Sequence, residues 1–381
     1  MKYFDIIILG SGASGCMACM NCDKTKNVAI IDKSNKLAKK LLSTGNGRCN
    51  LTNKNMSSQF FNQNIDDFLS KFNQDDTSKF FSQIGLETYA DEEGRIYPLS
   101  NSAKSVTSVI ENQITGRKNV SVFLEHTISK ITKNKNFTIE TDKETFECEK
   151  LVFALGGNSS LLVDLKIDKS QCFPSLVSLK TNSPKFLSGV RISNVKVTAN
   201  VGKHQKSDYG EILFKDGGIS GICVFNLSTL FARNKITSGK IEIDLLPNMK
   251  NDEVYNLLSN RRNLNVKINK FFDGIFVSQI GYEILNRMKL DEEQNCNLLT
   301  ESNIQKMTDI IKHLDYNVTG LLDNNQVFSG GTLLSALDNS LQSKQIPNLY
   351  LCGEAVDVDG ECGGYNLQWA WTSGKIVGEN L

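Results

Sequence analysis

Gly10, Gly12 and Gly15 form a Gly-x-Gly-x-x-Gly turn at the end of an apolar run from Phe4 to Leu9, and no further Gly or Pro appears until well past residue 22. The pattern is that of a buried strand, a tight turn and a helix. Gly10 permits the turn and Gly12 lets a diphosphate approach the backbone. Gly15 lets the helix pack on the strand, and the N–H groups around Ser11, Ala13 and Ser14 face phosphate oxygens. A second run, Val28 to Ile31, ends in Asp32 and Lys33, the distance at which a carboxylate holds an adenosine ribose. These residues point to a dinucleotide site.

Two further stretches carry polar groups in a suggestive order. Thr44-Gly-Asn-Gly-Arg-Cys-Asn50 is a loop whose Gly45, Asn46, Gly47, Arg48 and Asn50 can offer donors to a phosphate or a ring, with Cys49 beside them. A surface turn with a solvated Arg48 explains it equally well. Near the C-terminus, the apolar strand Leu349 to Leu351 leads through Cys352 to Gly353 and Glu354, then to Gly363-Gly-Tyr-Asn-Leu-Gln-Trp-Ala-Trp. A carboxylate at a strand end suits a sugar or ribitol hydroxyl, and a helix starting near Tyr365 can aim its positive end at developing negative charge. Cys49, Tyr365 and Asn366 are the candidates for proton transfer or tuning. The competing reading is an ordinary C-terminal strand–loop–helix unit.

The elements that must position these groups read as an α/β chain. With 381 residues, 40% hydrophobic and 22% charged, the chain is long enough for two or three domains. A net charge of +1 argues against nucleic acid or an anionic membrane as the main partner. No apolar run approaches the ~20 residues of a membrane span. The N-terminal apolar segment is itself a strand, not a secretory signal, so a cytoplasmic protein is expected. Ten irregularly spaced cysteines read as reduced thiols. Cys16, Cys19 and Cys22 suit tight helix packing better than a cluster, which needs a fourth ligand, and no metal is expected.

Helices are expected over 60–90, from Ser102 to about Gln113, and over 251–314. Val120–Leu124, Thr127–Ile131 and Phe137–Glu140 read as strands of a meander. Leu151–Leu155 reads as a buried strand ending in Gly156-Gly157, and 317–328 as a strand. Between Phe173 and Pro247, alternation at Val195, Val197, Ala199, Val201, Ile241 and Ile243 predicts a small antiparallel sheet or barrel, with Lys215–Gly221 read as a hairpin turn in preference to a loop over the cofactor that presents Ser220 to substrate.

Read together, the stretches 10–15, 40–53, 94–98 and 353–374 resemble the BaiN-like, aminoacetone-oxidase-type NAD(P)/FAD-dependent oxidoreductases, and the resemblance runs along the whole chain in order. It implies a Rossmann-like FAD domain of the glutathione-reductase type, with an inserted antiparallel β-barrel that itself carries a helical subdomain. The expected boundaries are 1–172 with 326–381, 173–248 with 314–325, and 249–313. By the same resemblance FAD contacts fall on Gly10 to Gly15, Asp32, Lys33, Gly45 to Asn50, Gly353, Glu354 and Gly364, Tyr365, Asn366 and Leu367. Ala154 and Gly156 close the adenine side, and the backbone near Ile128 lies by the adenine. Asn46 departs from the Gly more usual there, and Glu361 and Cys362 occupy the most variable pair. A redox pairing of Cys362 with Cys49 or Cys352 is the less favoured reading.

The implied activity is hydride transfer between the flavin and a small organic substrate or NAD(P)H. Residues 151–330 contain no second Gly-x-Gly-x-x-Gly, so NAD(P)H is at most a transient reductant in the substrate cleft. The alternatives are a sensory or structural flavin module without turnover and a tRNA-modifying flavoenzyme, against which the near-neutral charge counts.

Overall fold

The N-terminal apolar run is strand β1 (Lys2–Leu9), flanked by β2 (Val28–Ile31) on one side and β9 (Thr145–Phe153) on the other, with Ile7, Ile8 and Leu9 fully buried. Burial on both faces is the condition under which a strand reads as a continuous apolar run instead of an alternating one. The structure, a computed structural model, describes residues 1–157, 159–161, 165, 167–322 and 327–381. The chain divides into two units, Met1–Phe173 with Gln326–Leu381, and Pro174–Asn325.

In chain order the first segment contains β1, α1 (Ala13–Asn21), β2 (Val28–Ile31), β3 (Thr52–Asn53), α2 (Asp66–Leu69), α3 (Gln74–Gln83), β4 (Thr88–Ala90), β5 (Arg95–Pro98) and α4 (Ala103–Thr115). The strands β6 (Val120–Phe123), β7 (Ile128–Lys133), β8 (Phe137–Thr141) and β9 (Thr145–Phe153) follow. After the short strand β10 (Phe173–Ser175) come β11 (Leu179–Thr181), β12 (Arg191–Val201), β13 (His204–Lys215), β14 (Gly218–Ser220), α5 (Ile222–Asn234) and β15 (Gly239–Asp244). Three helices, α6 (Asn251–Arg261), α7 (Ser278–Met288) and α8 (Glu301–Lys312), precede β16 (Leu314–Leu321). The chain ends with β17 (Val327–Ser329), β18 (Leu349–Leu351) and α9 (Tyr365–Glu379).

The first unit is built on the parallel order β6-β2-β1-β9. The outer edge of β9 is shared: its first half pairs with β8 in an antiparallel meander with β7, and its second half pairs in parallel with β18. Strand β18 therefore brings residues from the far end of the chain beside the glycine turn. Val120–Phe123 is not part of the meander, as its half-buried pattern suggests, but the parallel partner of β2 at the sheet edge.

In the second unit β11-β14-β13-β12-β15-β16 close into a barrel. Val195, Val197, Ala199 and Val201 are fully buried, and Val197 and Ala199 pair with Ile243 and Ile241. This is the inward half of a period-two pattern. Helices α6 to α8 lie in sequence between β15 and β16, which pair with each other. They bury Val254, Leu258, Ile280, Ile284, Ile304, Met307 and Ile311. Helix α5 departs from the all-strand reading of 173–247; it buries Cys223, Val224, Leu227 and Phe231. Lys215–Gly221 spans the hairpin between β13 and β14, and Ser220 is buried, accepting a hydrogen bond from Ser178 Oγ at 3.0 Å. Of the strand expected over 317–328, residues 323–326 lie outside the described residues.

Candidate dinucleotide site

The three glycines of the turn have three different physical jobs. Gly10 has φ +98°, and a Cβ there would lie 2.5 Å from the Ala154 carbonyl oxygen, so the turn closes directly on the end of β9. A Cβ on Gly15 would overlap the Gly10 carbonyl oxygen. Gly12 is the exception, because a Cβ there would meet nothing within 4 Å. Gly12 is the N-cap of α1, no side chain caps that helix, and the first helical bond runs from Cys16 N to Gly12 O at 2.9 Å. The N–H groups at the helix start are left for a ligand or solvent.

Asp32 follows β2 and is tied to this turn. Its Oδ2 accepts from Ser11 N at 2.6 Å and Ser11 Oγ at 2.8 Å, and its Oδ1 accepts from Ser34 N at 2.6 Å, so the Ser11 N–H expected to face a phosphate is taken by Asp32 instead. A carboxylate offers about four lone-pair positions, so one remains for a hydroxyl. Lys33 is exposed, and Ile128, Ala154 and Gly156 are half-buried.

The loop before β3 is wound through left-handed conformations at Gly45, Asn46, Gly47 and Cys49. Asn46 is exposed. Arg48 lays its guanidinium 4.4 Å from the Tyr97 ring centre and donates to the Tyr97 hydroxyl at 3.4 Å. Cys49 is fully buried, and burial pushes its thiol up to about 12. Asn50 is buried, and its Oδ1 has no hydrogen-bond partner. A buried amide oxygen left without a donor calls for one from outside the protein.

The C-terminal segment completes the arrangement. A Cβ on Gly353 would run into the Ser14 side chain, which sets this residue against the first turn of α1. Gly353 N donates to Ser373 Oγ at 2.9 Å, and Trp369 Nε1 donates to Gly353 O at 3.1 Å. Glu354 follows, its side chain one-quarter exposed, with Lys40 Nζ 3.6 Å from its Oε2. Burial raises its carboxyl above the usual carboxylate range, and Lys40 offsets part of that rise. Gly156 lies beside the same carboxyl: a Cβ there would be 3.7 Å from Oε2.

Gly364, at φ +101°, is the N-cap of α9, and a Cβ there would be 2.9 Å from Asn50 Oδ1. The unpartnered amide oxygen and the uncapped start of α9 therefore share one spot. Tyr365 stacks on Phe60 at 4.5 Å, and burial, then Glu361, pushes its phenol up to about 12. Asn366 holds the preceding loop: its Oδ1 accepts from Gly360 N at 2.9 Å and its Nδ2 donates to Gly360 O at 2.8 Å. Leu367 is half-buried.

The residues that fix α9 are ones the sequence reading passes over. Gln368 is fully buried; it accepts from Thr52 Oγ1 at 2.6 Å and Thr77 Oγ1 at 3.0 Å and donates to Phe72 O at 3.3 Å and Thr372 Oγ1 at 3.0 Å. Trp371 Nε1 donates to Leu51 O at 2.9 Å. Lys40 is the other omission, and its place at the head of the 40–53 stretch was the only signal. Cys16, Cys19 and Cys22 are buried free thiols, and among the described residues no group of three metal-ligating side chains assembles. Cys49 and Cys352 are also free thiols, and Cys362 is in no disulfide among the described residues.

The chain is similar to known proteins along almost its whole length. The HI0933-like protein Rossmann domain family matches residues 4–380. The chain is 31% identical to a 3-dehydro-bile acid delta(4,6)-reductase of Clostridium scindens, over 97% of each chain. It is 25% identical to a ribosomal RNA dihydrouridine synthase of Escherichia coli, over 100% of this chain and 98% of the relative. Among solved structures, a 3-ketosteroid delta1-dehydrogenase from Sterolibacterium denitrificans shares the fold, with a TM-score of 0.53 at 11% identity, over 100% of this chain and 99% of that one. Among the described residues no helix is long and apolar enough to cross a membrane. The chain belongs to the HI0933-like Rossmann-domain family and is a flavin-dependent oxidoreductase.

Proposed function

We propose that the first unit binds FAD and that the protein reduces a carbon–carbon double bond conjugated to a carbonyl in a small organic substrate. The observation that carries the cofactor reading is the unpartnered, buried Asn50 oxygen beside Gly364, together with the open space at Gly12 and the Glu354 carboxyl. FAD suits all three. The turn at 10–15 would take the diphosphate, Asp32 the ribose, and Glu354 a ribitol hydroxyl. Asn50 and the start of α9, from Gly364 to Leu367, would take the ring. When bound, FAD supplies two-electron hydride chemistry, while the protein supplies orientation and electrostatics. Cys49, Tyr365 and Asn366 stay in the proposal as groups that tune this end of the site, with Asn366 acting through the 360–361 loop.

The substrate class rests on the relatives. Their names describe one chemistry, saturation of a double bond beside a carbonyl, in an oxidised bile acid and in uracil. The 31% relative favours the small molecule, as does a net charge of +1. The RNA reading is the second, supported by the relatives at 25%. Retention on heparin at physiological salt would favour it. NAD(P)H is the proposed transient reductant. Anaerobic mixing of the purified holoprotein with NADH and NADPH tests this, and a flavin that neither bleaches would call for a different two-electron donor to supply the hydride that the double bond takes up.

Two substitutions probe the site. Tyr365→Phe is expected to change turnover or the flavin potential with FAD still bound, and unchanged kinetics would remove Tyr365 from the reaction. Glu354→Gln is expected to act in opposite directions on stability and binding. With the Glu354 carboxyl raised in the folded state, the folded protein holds more protons than the unfolded chain above pH 4.5, so stability falls as pH rises through the folded value. The Gln variant removes that cost: the apoprotein should melt higher than the parent at pH 7 and match it in acid below both values. FAD affinity should fall about 10- to 100-fold for one lost charge-assisted hydrogen bond. Equal melting at pH 7 would contradict the enclosed carboxylate.

A further inference from the structure

The stretch that contains Lys40 is fixed to the dinucleotide turn. Leu37, Ala38 and Leu41 are buried, Ala38 N donates to Ser11 O at 2.8 Å, and a 3-10 run begins at Lys39. The backbone of Lys40 is therefore set beside the residues proposed to face a diphosphate, while its side chain is 64% exposed. Its ammonium reaches Glu354 at 3.6 Å. That is longer than the ~2.7–2.9 Å of a charge-assisted hydrogen bond, so the two charges attract without being locked together.

A diphosphate entering at Gly12 would add negative charge to a region where Gly353 packs on Ser14 and the Glu354 carboxyl follows it. The turn itself, Gly10 to Gly15, carries no cationic side chain, and the first turn of α1 holds no acid. Lys39 turns away to Asn35 Oδ1 at 3.1 Å. Lys40 already carries its ammonium to the Glu354 carboxyl, on a long side chain that is mostly in solvent. An ammonium is a compact point charge on a flexible stem, so it can move from one anion to another nearby.

We infer that Lys40 is a cofactor-binding residue whose ammonium balances Glu354 in the free protein and the diphosphate in the complex, so that one lysine ties the turn near the start of the chain to the carboxylate near its end. This rests on the FAD reading above. It assigns the lysine a partner in the bound state that differs from its partner in the free state.

The test is equilibrium titration of the apoprotein with FAD, and with ADP as a competitor of FAD, since ADP carries the diphosphate but no ribitol. Tryptophan fluorescence provides the signal, because Trp369 and Trp371 lie on α9. Lys40→Met is expected to weaken both FAD and ADP about 10-fold, the worth of one charged contact, and to flatten the salt dependence of both. Lys40→Arg should restore most of the loss, and Lys40→Met should still weaken ADP in a Glu354→Gln background. A Lys40→Met variant that binds ADP like the parent would overturn the inference and leave FAD binding intact, because Lys40 would then serve Glu354 alone. A parent protein that binds neither ligand would overturn the proposed function itself, and this inference with it.

Discussion

Gly12→Ala is expected to give a protein that folds and melts like the parent but binds FAD about 100-fold more weakly. The backbone at Gly12, φ −71° and ψ −173°, is open to any residue, and the added methyl meets nothing within 4 Å. The methyl would instead stand in the space a diphosphate must enter. Forcing a methyl into a filled contact costs roughly 2–3 kcal/mol, which is about 100-fold in affinity. Its neighbour gives the contrast. Gly15→Ala drives a methyl onto the Gly10 carbonyl oxygen between α1 and β1, so folding fails before binding is at issue. Melting curves and FAD titrations on both variants separate the two roles. A Gly12→Ala protein that retains FAD like the parent would mean that the turn does not face the cofactor.

The second large effect is expected at Gln368, which is fully buried on α9. Gln368→Leu fills nearly the same volume but leaves the hydroxyls of Thr52 and Thr77 buried without their acceptor. Each unpaired buried group costs about 1–3 kcal/mol, so the variant should lose roughly 3–5 kcal/mol. That is a large fraction of the stability of a typical domain. Gln368 also links β3 and α3 to α9, so loosening it should displace the segment that carries Gly364. The measurement is denaturant unfolding of parent and variant side by side. A shift within about 0.5 kcal/mol would show that the network does not hold α9.

How much of this could be read from sequence varied with how local the cause was. The unit from β1 through the glycine turn to Asp32 was legible because each part carries its own signal: a strand buried on both faces, glycines at forced positions, and a carboxylate at a strand end. The strand and helix around Glu354 and Tyr365 were legible for the same reason. Sheet order was not, since Val120–Phe123 has the half-buried look of a meander strand and its pairing with β2 depends on the whole sheet. Helix α5 was hidden because its apolar residues occur on nearly every face, which gives no clear 3.6-residue stripe. The roles of individual polar side chains were the least legible. Asn366 is the type of residue that could face a ring, yet its amide staples Gly360. Gln368, its neighbour, ties the last helix to Thr52, a contact between opposite ends of the chain that no local pattern records.

One claim supports the rest: the two ends of the chain together hold a single FAD. Titrating the apoprotein with FAD, and recording the visible spectrum of the complex, tests it most directly. The account predicts one FAD per chain, with binding weakened separately by Gly12→Ala near the start and by Glu354→Gln near the end. A protein purified without flavin that takes up none when FAD is added would contradict it, as would binding that neither substitution alters.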